Sequence, residues 1–151
     1  MMVDTVGASA RPAIRSAQRR FFACAGHAVV RADTAELHRA RIAAKRLRYT
    51  VEFFCSVLRE PANTALGLLT LMQDRLGSVA DEAALRRFYA GLAKGLPRDD
   101  PRLPGLRSLI ADCDARRVLA LEAVQTLWNG GEFPPYADML GAALSGALSG
   151  L

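Results

Sequence analysis

The chain has 151 residues, 51% of them hydrophobic and 23% charged. That is enough apolar side chain for one packed core, and it excludes a disordered, collagen-like or low-complexity polymer. Three cysteines, Cys24, Cys55 and Cys113, are an odd number without C-x-x-C spacing, which argues for reduced thiols in a reducing compartment over a disulfide scaffold or zinc knuckle. The net charge of +5 is uneven: residues 1–60 hold eleven Arg and Lys against five acids, and residues 61–151 hold nine against ten. Eighteen of the twenty basic residues are Arg, whose planar fork suits phosphate, although a GC-rich genome produces the same bias without any function.

The first twenty residues carry arginines where a secretory leader needs an apolar run, and no stretch of eighteen apolar residues occurs, so a cytoplasmic protein with no membrane span is expected. Alternating β-branched runs are absent and Ala, Leu and Arg dominate, which predicts helices. Over residues 10–30, Ile14, Ala17, Phe21, Ala25 and Ala28 fall on one helical stripe and Arg11, Arg15 and Arg19 on another, with Gly26 as a point of loosening. Asp33 followed by Glu36 has capping-box spacing and opens a second helix, expected to continue through Leu58 until Pro61 stops it.

Pro61 suits the first turn of a third helix with apolar positions Leu66, Leu69, Leu71 and Leu76, expected to end at Gly77. Ser78 with Asp81 then caps a fourth helix carrying Leu85, Phe88, Tyr89 and Leu92 to Gly95. Three prolines within residues 96–105 make a loop. A fifth helix over about 104–128 offers Leu106, Leu109, Ile110, Val118, Leu121, Val124 and Leu127 to the core and ends at Asn129-Gly130-Gly131. The small-residue tail, 131–151, reads as a short docked helix or a frayed end. The expectation is one all-α domain over 1–151, a bundle of four to five main helices with its core in about 10–130.

Chemistry concentrates in the second helix. On a helical wheel His38, Arg41, Lys45, Arg48, Tyr49 and Glu52 fall within about 100° of arc. Ala40, Ala43, Ala44, Leu47, Val51, Phe54 and Leu58 take the opposite side, and Arg39 and Arg46 flank the basic one. A charge run is ordinarily a solvated face. Two features weigh against that here. Cations at i, i+3, i+4 and i+7 repel one another on a helix, a cost that an anionic ligand offsets. The face also carries an imidazole and a phenol, directional donors that solubility does not require. Arg15 and Arg19 on the first helix are candidates for a second wall.

The run LHRARIAAKRLRYTVEFF followed by LLTLMQDRLGSVAD resembles the repeat unit of the CHAD family, the conserved-histidine α-helical domains. The resemblance rests on His38, Arg41, Lys45-Arg46-Leu47-Arg48-Tyr49 and Glu52, then Gln73, Leu76-Gly77 and Asp81, and extends over about residues 10–130. It implies a helical fold made of two similar halves around a basic channel, and binding of inorganic polyphosphate by His38, Arg41, Lys45, Arg46, Arg48 and Tyr49. Full-length members carry the motif twice and this chain carries it once, in a form similar to the second copy. A single half is therefore implied, and a homodimer would restore the missing half by two-fold symmetry.

Catalytic signatures are missing: there is no G-x-x-x-x-G-K-[ST], H-E-x-x-H or G-x-S-x-G. The six glutamates never form E-x-E, so the acidic cluster of the triphosphatases that accompany the family is not encoded. Asp112 and Asp114 diverge on a helix, and His27 and His38 lack a second ligand at metal spacing. No cofactor or metal is expected. Gln73, Gly77 and Asp81 read as structural, with a bond from Gln73 across to the basic helix as an option. Phe53, Phe54, Phe88 and Trp128 read as packing aromatics, and Cys55 as a small apolar residue beside the core. The function expected is a non-enzymatic polyphosphate-binding module in the cytoplasm, in association with polyphosphate granules. The alternatives are a nucleic-acid-binding helical protein or a half-domain scaffold paired with another chain. Protonation of His38 would add a cation to the face, so binding should tighten in mildly acidic solution.

Overall fold

A computed structural model describes residues 2–151, with side chains from residue 6 onward. Met1, the first residue of the segment read for a leader, lies outside the described residues. Five α-helices follow one another: α1 (Met2–Arg31), α2 (Thr34–Phe53), α3 (Pro61–Lys94), α4 (Leu103–Asn129) and α5 (Tyr136–Ala147), with a single 3-10 turn at Cys55–Val57 between α2 and α3. Among the described residues there is no strand, so the all-α expectation holds. Among the described residues no helix is long and apolar enough to cross a membrane.

The stripe predicted for α1 is the one that packs: Ile14, Phe21, Ala25 and Ala28 are buried and Ala17 lies half-buried against them. The helix runs through both Pro12 and Gly26 without breaking. It turns into α2 over two residues, with Ala32 at φ 55° in the left-handed region. Asp33 then caps α2 as its spacing predicts, Oδ1 accepting from Ala35 N at 2.8 Å and Glu36 N at 3.1 Å. The other half of the box does not form, because the Glu36 carboxylate turns toward Arg39 at 3.6 Å.

Helix boundaries differ from expectation at three points, the first being that α1 begins at Met2, well before residue 10. α2 stops at Phe53, not Leu58. The 3-10 turn buries Phe54, and Arg59 N donates to Ala147 O at 3.1 Å, tying this corner to the end of α5. The expected third and fourth helices are one. Gly77 does not end α3, and Ser78 Oγ donates back to Asp74 O at 3.1 Å, a bond made within a continuing helix. A mid-helix glycine costs about 1 kcal/mol against alanine, and the unbroken stripe Leu69, Met72, Leu76, Val79 and Ala83, buried on both sides of position 77, outweighs it.

α1, α2, the first half of α3, the C-terminal end of α4 and α5 enclose one apolar core. The tail is a docked helix: Tyr136 is fully buried, its hydroxyl donates to Leu68 O at 2.8 Å, and its ring stacks on Trp128 and meets Phe21 edge-on. The α4–α5 turn depends on Gly130, at φ 93°, where a Cβ would collide with the carbonyl oxygen of Phe133.

The second half of α3 and the first half of α4 form a hairpin that continues beyond α2. Leu85 and Leu92 are exposed, and so is Phe88, read from the sequence as a packing aromatic, by 60%. Tyr89 is half-buried. On α4, Val124 is buried, Leu121 and Leu127 pack partly against the core, and Leu109 and Val118 are exposed. The reason is length: α2 begins at Thr34, which lies beside the α3 segment ending near Arg87, so no third helix covers the hairpin. Phe53 is likewise 77% exposed, Cys55 is exposed and Cys113 is the buried thiol. All three cysteines are free.

Candidate functional site

α2 is two-sided in the way its wheel predicts. Leu37, Ala40, Ala43, Ala44, Leu47 and Val51 are buried, and Phe54 just beyond the helix is buried as well, with Leu58 packed partly against the core. The alanines leave little side chain between backbones, which lets neighbouring helices approach closely. On the other side His38, Arg41, Lys45, Arg46 and Tyr49 are exposed and Arg48 is half-buried.

Within that face the cations are organised by Tyr49. Lys45 Nζ lies 5.6 Å from the ring centroid and Arg48 Cζ 5.2 Å from it, so the ring quadrupole offsets part of the repulsion between neighbouring positive charges. Arg48 also faces Glu52 at 3.3 Å. His38, Arg41, Lys45 and Arg46 have no ion-pair partner among the described residues; the cations that do are Arg39, Arg48, Arg86, Arg102 and Arg116. Unpaired cations three and four residues apart cost a helix about 0.2–0.5 kcal/mol per pair.

The second wall comes from α3, not α1. Arg15 Nη2 lies 3.5 Å from Ser145 Oγ, and Arg11 Nη2 donates to Leu148 O and Leu151 O at 3.0 and 2.8 Å. Arg11 and Arg15 are thus turned toward α5 and the C-terminus, Arg19 is exposed, and the packed stripe of α1 holds the core. Arg15 and Arg19 do not join His38 and Arg41. Gly77 of α3 does: a Cβ there would lie 3.9 Å from Arg41 Nε, so the guanidinium of Arg41 reaches across α3 at its glycine.

Beside this contact, between the N-terminal half of α2 and α3, lies a cavity of about 400 Å³. Leu37, Leu76, Val79 and Ala83 form its apolar floor; His38, Arg41 and Arg87 supply its charge-bearing groups, and no acidic residue lines it. Arg87 was not among the residues the sequence singled out. The signal that finds it is a cation on the stripe Leu76, Ala83, Arg87, facing the basic helix.

Other candidates take quieter places. Gln73 is half-buried and its Oε1 meets no donor, so the option of a bond across to the basic helix is not realised. Asp81 is exposed within α3 and caps nothing. Asp114 pairs with Arg86 at 2.7 Å. His27 is exposed beside a shallow cleft it shares with Cys24, Glu36 and Arg39. No group of three or more His, Cys, Asp or Glu is placed to hold a metal ion among the described residues.

Fold and site together describe an all-helical protein with one basic helix laid over an adjacent helix at a glycine. The family model of the CHAD domain matches residues 4–90, more than half of the chain, and the chain belongs to that family. The match takes in α1, α2 and most of α3 and stops within the hairpin, short of the 130 that the resemblance suggested. Neither the curated proteins nor the solved structures contain a match to the chain.

Proposed function

We propose that the chain binds inorganic polyphosphate along the exposed face of α2 without hydrolysing it. The observation that carries this reading is the set His38, Arg41, Lys45 and Arg46, exposed on one helix with no acidic partner among the described residues, together with membership of the CHAD family. A chain of phosphates lying along α2 would take Arg forks from Arg41 and Arg48, the point charge of Lys45, and donors from His38 and Tyr49. Support for binding without turnover comes from the sequence, which encodes no nucleophile motif and no E-x-E cluster. The free cysteines accord with the cytoplasm, where polyphosphate granules would be the ligand's store.

Titration with long-chain polyphosphate by calorimetry, with duplex DNA of equal phosphate content as the control, tests it. Submicromolar affinity for polyphosphate, steeply weakened by salt and well above that for DNA, is the expected result. Equal affinity for DNA would favour a nucleic-acid-binding protein, and no binding by a folded chain would end the reading. A second copy is part of the same proposal, because the motif occurs once and Leu85, Phe88 and Leu92 line an uncovered helix face. Light scattering on the titrated sample should give twice the chain mass. A monomer that still binds refutes the dimer alone, while a monomer that does not bind would favour pairing with a different chain.

A further inference from the structure

The stripe of α3 that lines the His38–Arg41 cavity does not stop there. Ala83 and Arg87 line that cavity, and Ala90 and Lys94, continuing at i+7 and i+11 from Ala83, line a second of about 560 Å³ near the tip of the hairpin. Four residues at this spacing lie within about 60° of one another on the helix, so both cavities open along one side of α3. Arg98 from the loop and Arg107 from α4 complete the second cavity, which is lined by three cations and no acid. None of the three is in an ion pair among the described residues. The nearby carboxylate of Asp100 is already occupied, accepting from Arg102 Nε and Nη2 at 2.9 and 2.8 Å.

We infer that Lys94, Arg98 and Arg107 form a second polyphosphate subsite that extends the α2 face along the hairpin and makes affinity depend on chain length. The inference rests on the proposed function and adds a reach to it. From His38 to Arg48 the α2 face is about 15 Å long, and from Arg87 to Lys94 the α3 stripe adds about 10 Å. A short phosphate chain fills the first stretch; only a longer one passes Arg87 and arrives at Lys94. These three cations lie beyond the matched residues 4–90, so the subsite belongs to this chain's own hairpin.

The test compares tripolyphosphate with long-chain polyphosphate on the wild-type chain and on the triple variant Lys94→Ala, Arg98→Ala, Arg107→Ala, each verified as helical by circular dichroism. The inference requires a roughly tenfold loss of long-chain affinity, from three solvent-exposed charge contacts, with tripolyphosphate affinity unchanged. The dependence of long-chain affinity on salt should become shallower as well, since fewer counterions are released. Unchanged long-chain affinity overturns it, and so does an equal loss for both ligands, which would make the cluster a general field and not a subsite. If the wild-type chain binds neither ligand, the proposed function fails and the subsite with it, an outcome distinct from either of these.

Discussion

Replacing Arg41, Lys45 and Arg48 together by alanine separates a binding face from a solvated one. Arg41 and Lys45 are exposed with no ion-pair partner among the described residues, and Arg48 is half-buried against Glu52 and Tyr49. Surface substitutions of this kind change stability by about 0.5 kcal/mol or less each, and loss of the repulsions Arg41–Lys45 and Lys45–Arg48 returns about 0.2–0.5 kcal/mol per pair. The folded state should therefore be nearly as stable as before, with helicity and thermal midpoint close to those of the parent chain. Binding should respond quite differently. Three charge contacts at about 0.5–1 kcal/mol each, discounted for solvent screening, amount to about 2 kcal/mol, or a roughly thirtyfold weaker complex. Retention on polyphosphate beads over a salt gradient reads this directly: the triple variant should elute at much lower salt. Undiminished retention of a variant that is still helical would refute the assignment of the site to α2, and a variant that unfolds would refute the estimate that this face contributes little to stability.

Three predictions concern the scaffold that holds the site. Gly130→Ala places a Cβ against the carbonyls of Phe133 and Pro134 at a φ of 93°, so a loss of about 2–3 kcal/mol is expected in denaturant titration; a midpoint within error of wild type would show that the α4–α5 turn reshapes freely. Ala32→Gly removes a Cβ from the left-handed region at φ 55° and should stabilise the chain by about 0.5–1 kcal/mol, with a lower midpoint as the contrary result. Tyr136→Phe deletes the bond to Leu68 O and should cost about 1–2 kcal/mol. Burial pushes the Tyr136 phenol well above its ordinary value of 10.0. Its neutral form is therefore favoured in the folded state, so its contribution is full below pH 10 and falls as pH rises beyond that. Alkaline unfolding that begins at the same pH in wild type and Tyr136→Phe would contradict this.

The parts of the fold that were legible are those in which local chemistry and packing agree. Asp33 caps α2 because its side chain answers amides two and three residues away, and Gly130 closes α4 because few other residues accept that φ. The two faces of α2 were legible for the same reason: 3.6 residues per turn sort alanines to one side and cations to the other with no reference to the rest of the chain. Gly77 misled, since a glycine carries the same local signal whether it ends a helix or lies inside one under a guanidinium. Leu85 and Phe88 misled in a related way. A stripe of apolar residues says that a helix has a face to cover, and says nothing about whether a neighbouring helix is long enough to cover it.

His38, Arg41 and Lys45 stand on one side of a helix because of their spacing alone, and no tertiary contact was needed to infer it. Which helix faces them is another matter. Arg15 and Arg19 were as plausible by charge as Arg87, and the choice fell to α3 because α1 spends its packed stripe on the core and turns Arg11 and Arg15 to the C-terminus and Ser145. Helical periodicity is a property of neighbours in sequence. The wall of a cavity is made by residues about fifty positions apart, and only the packing of α2 on α3 brings Arg87 to His38.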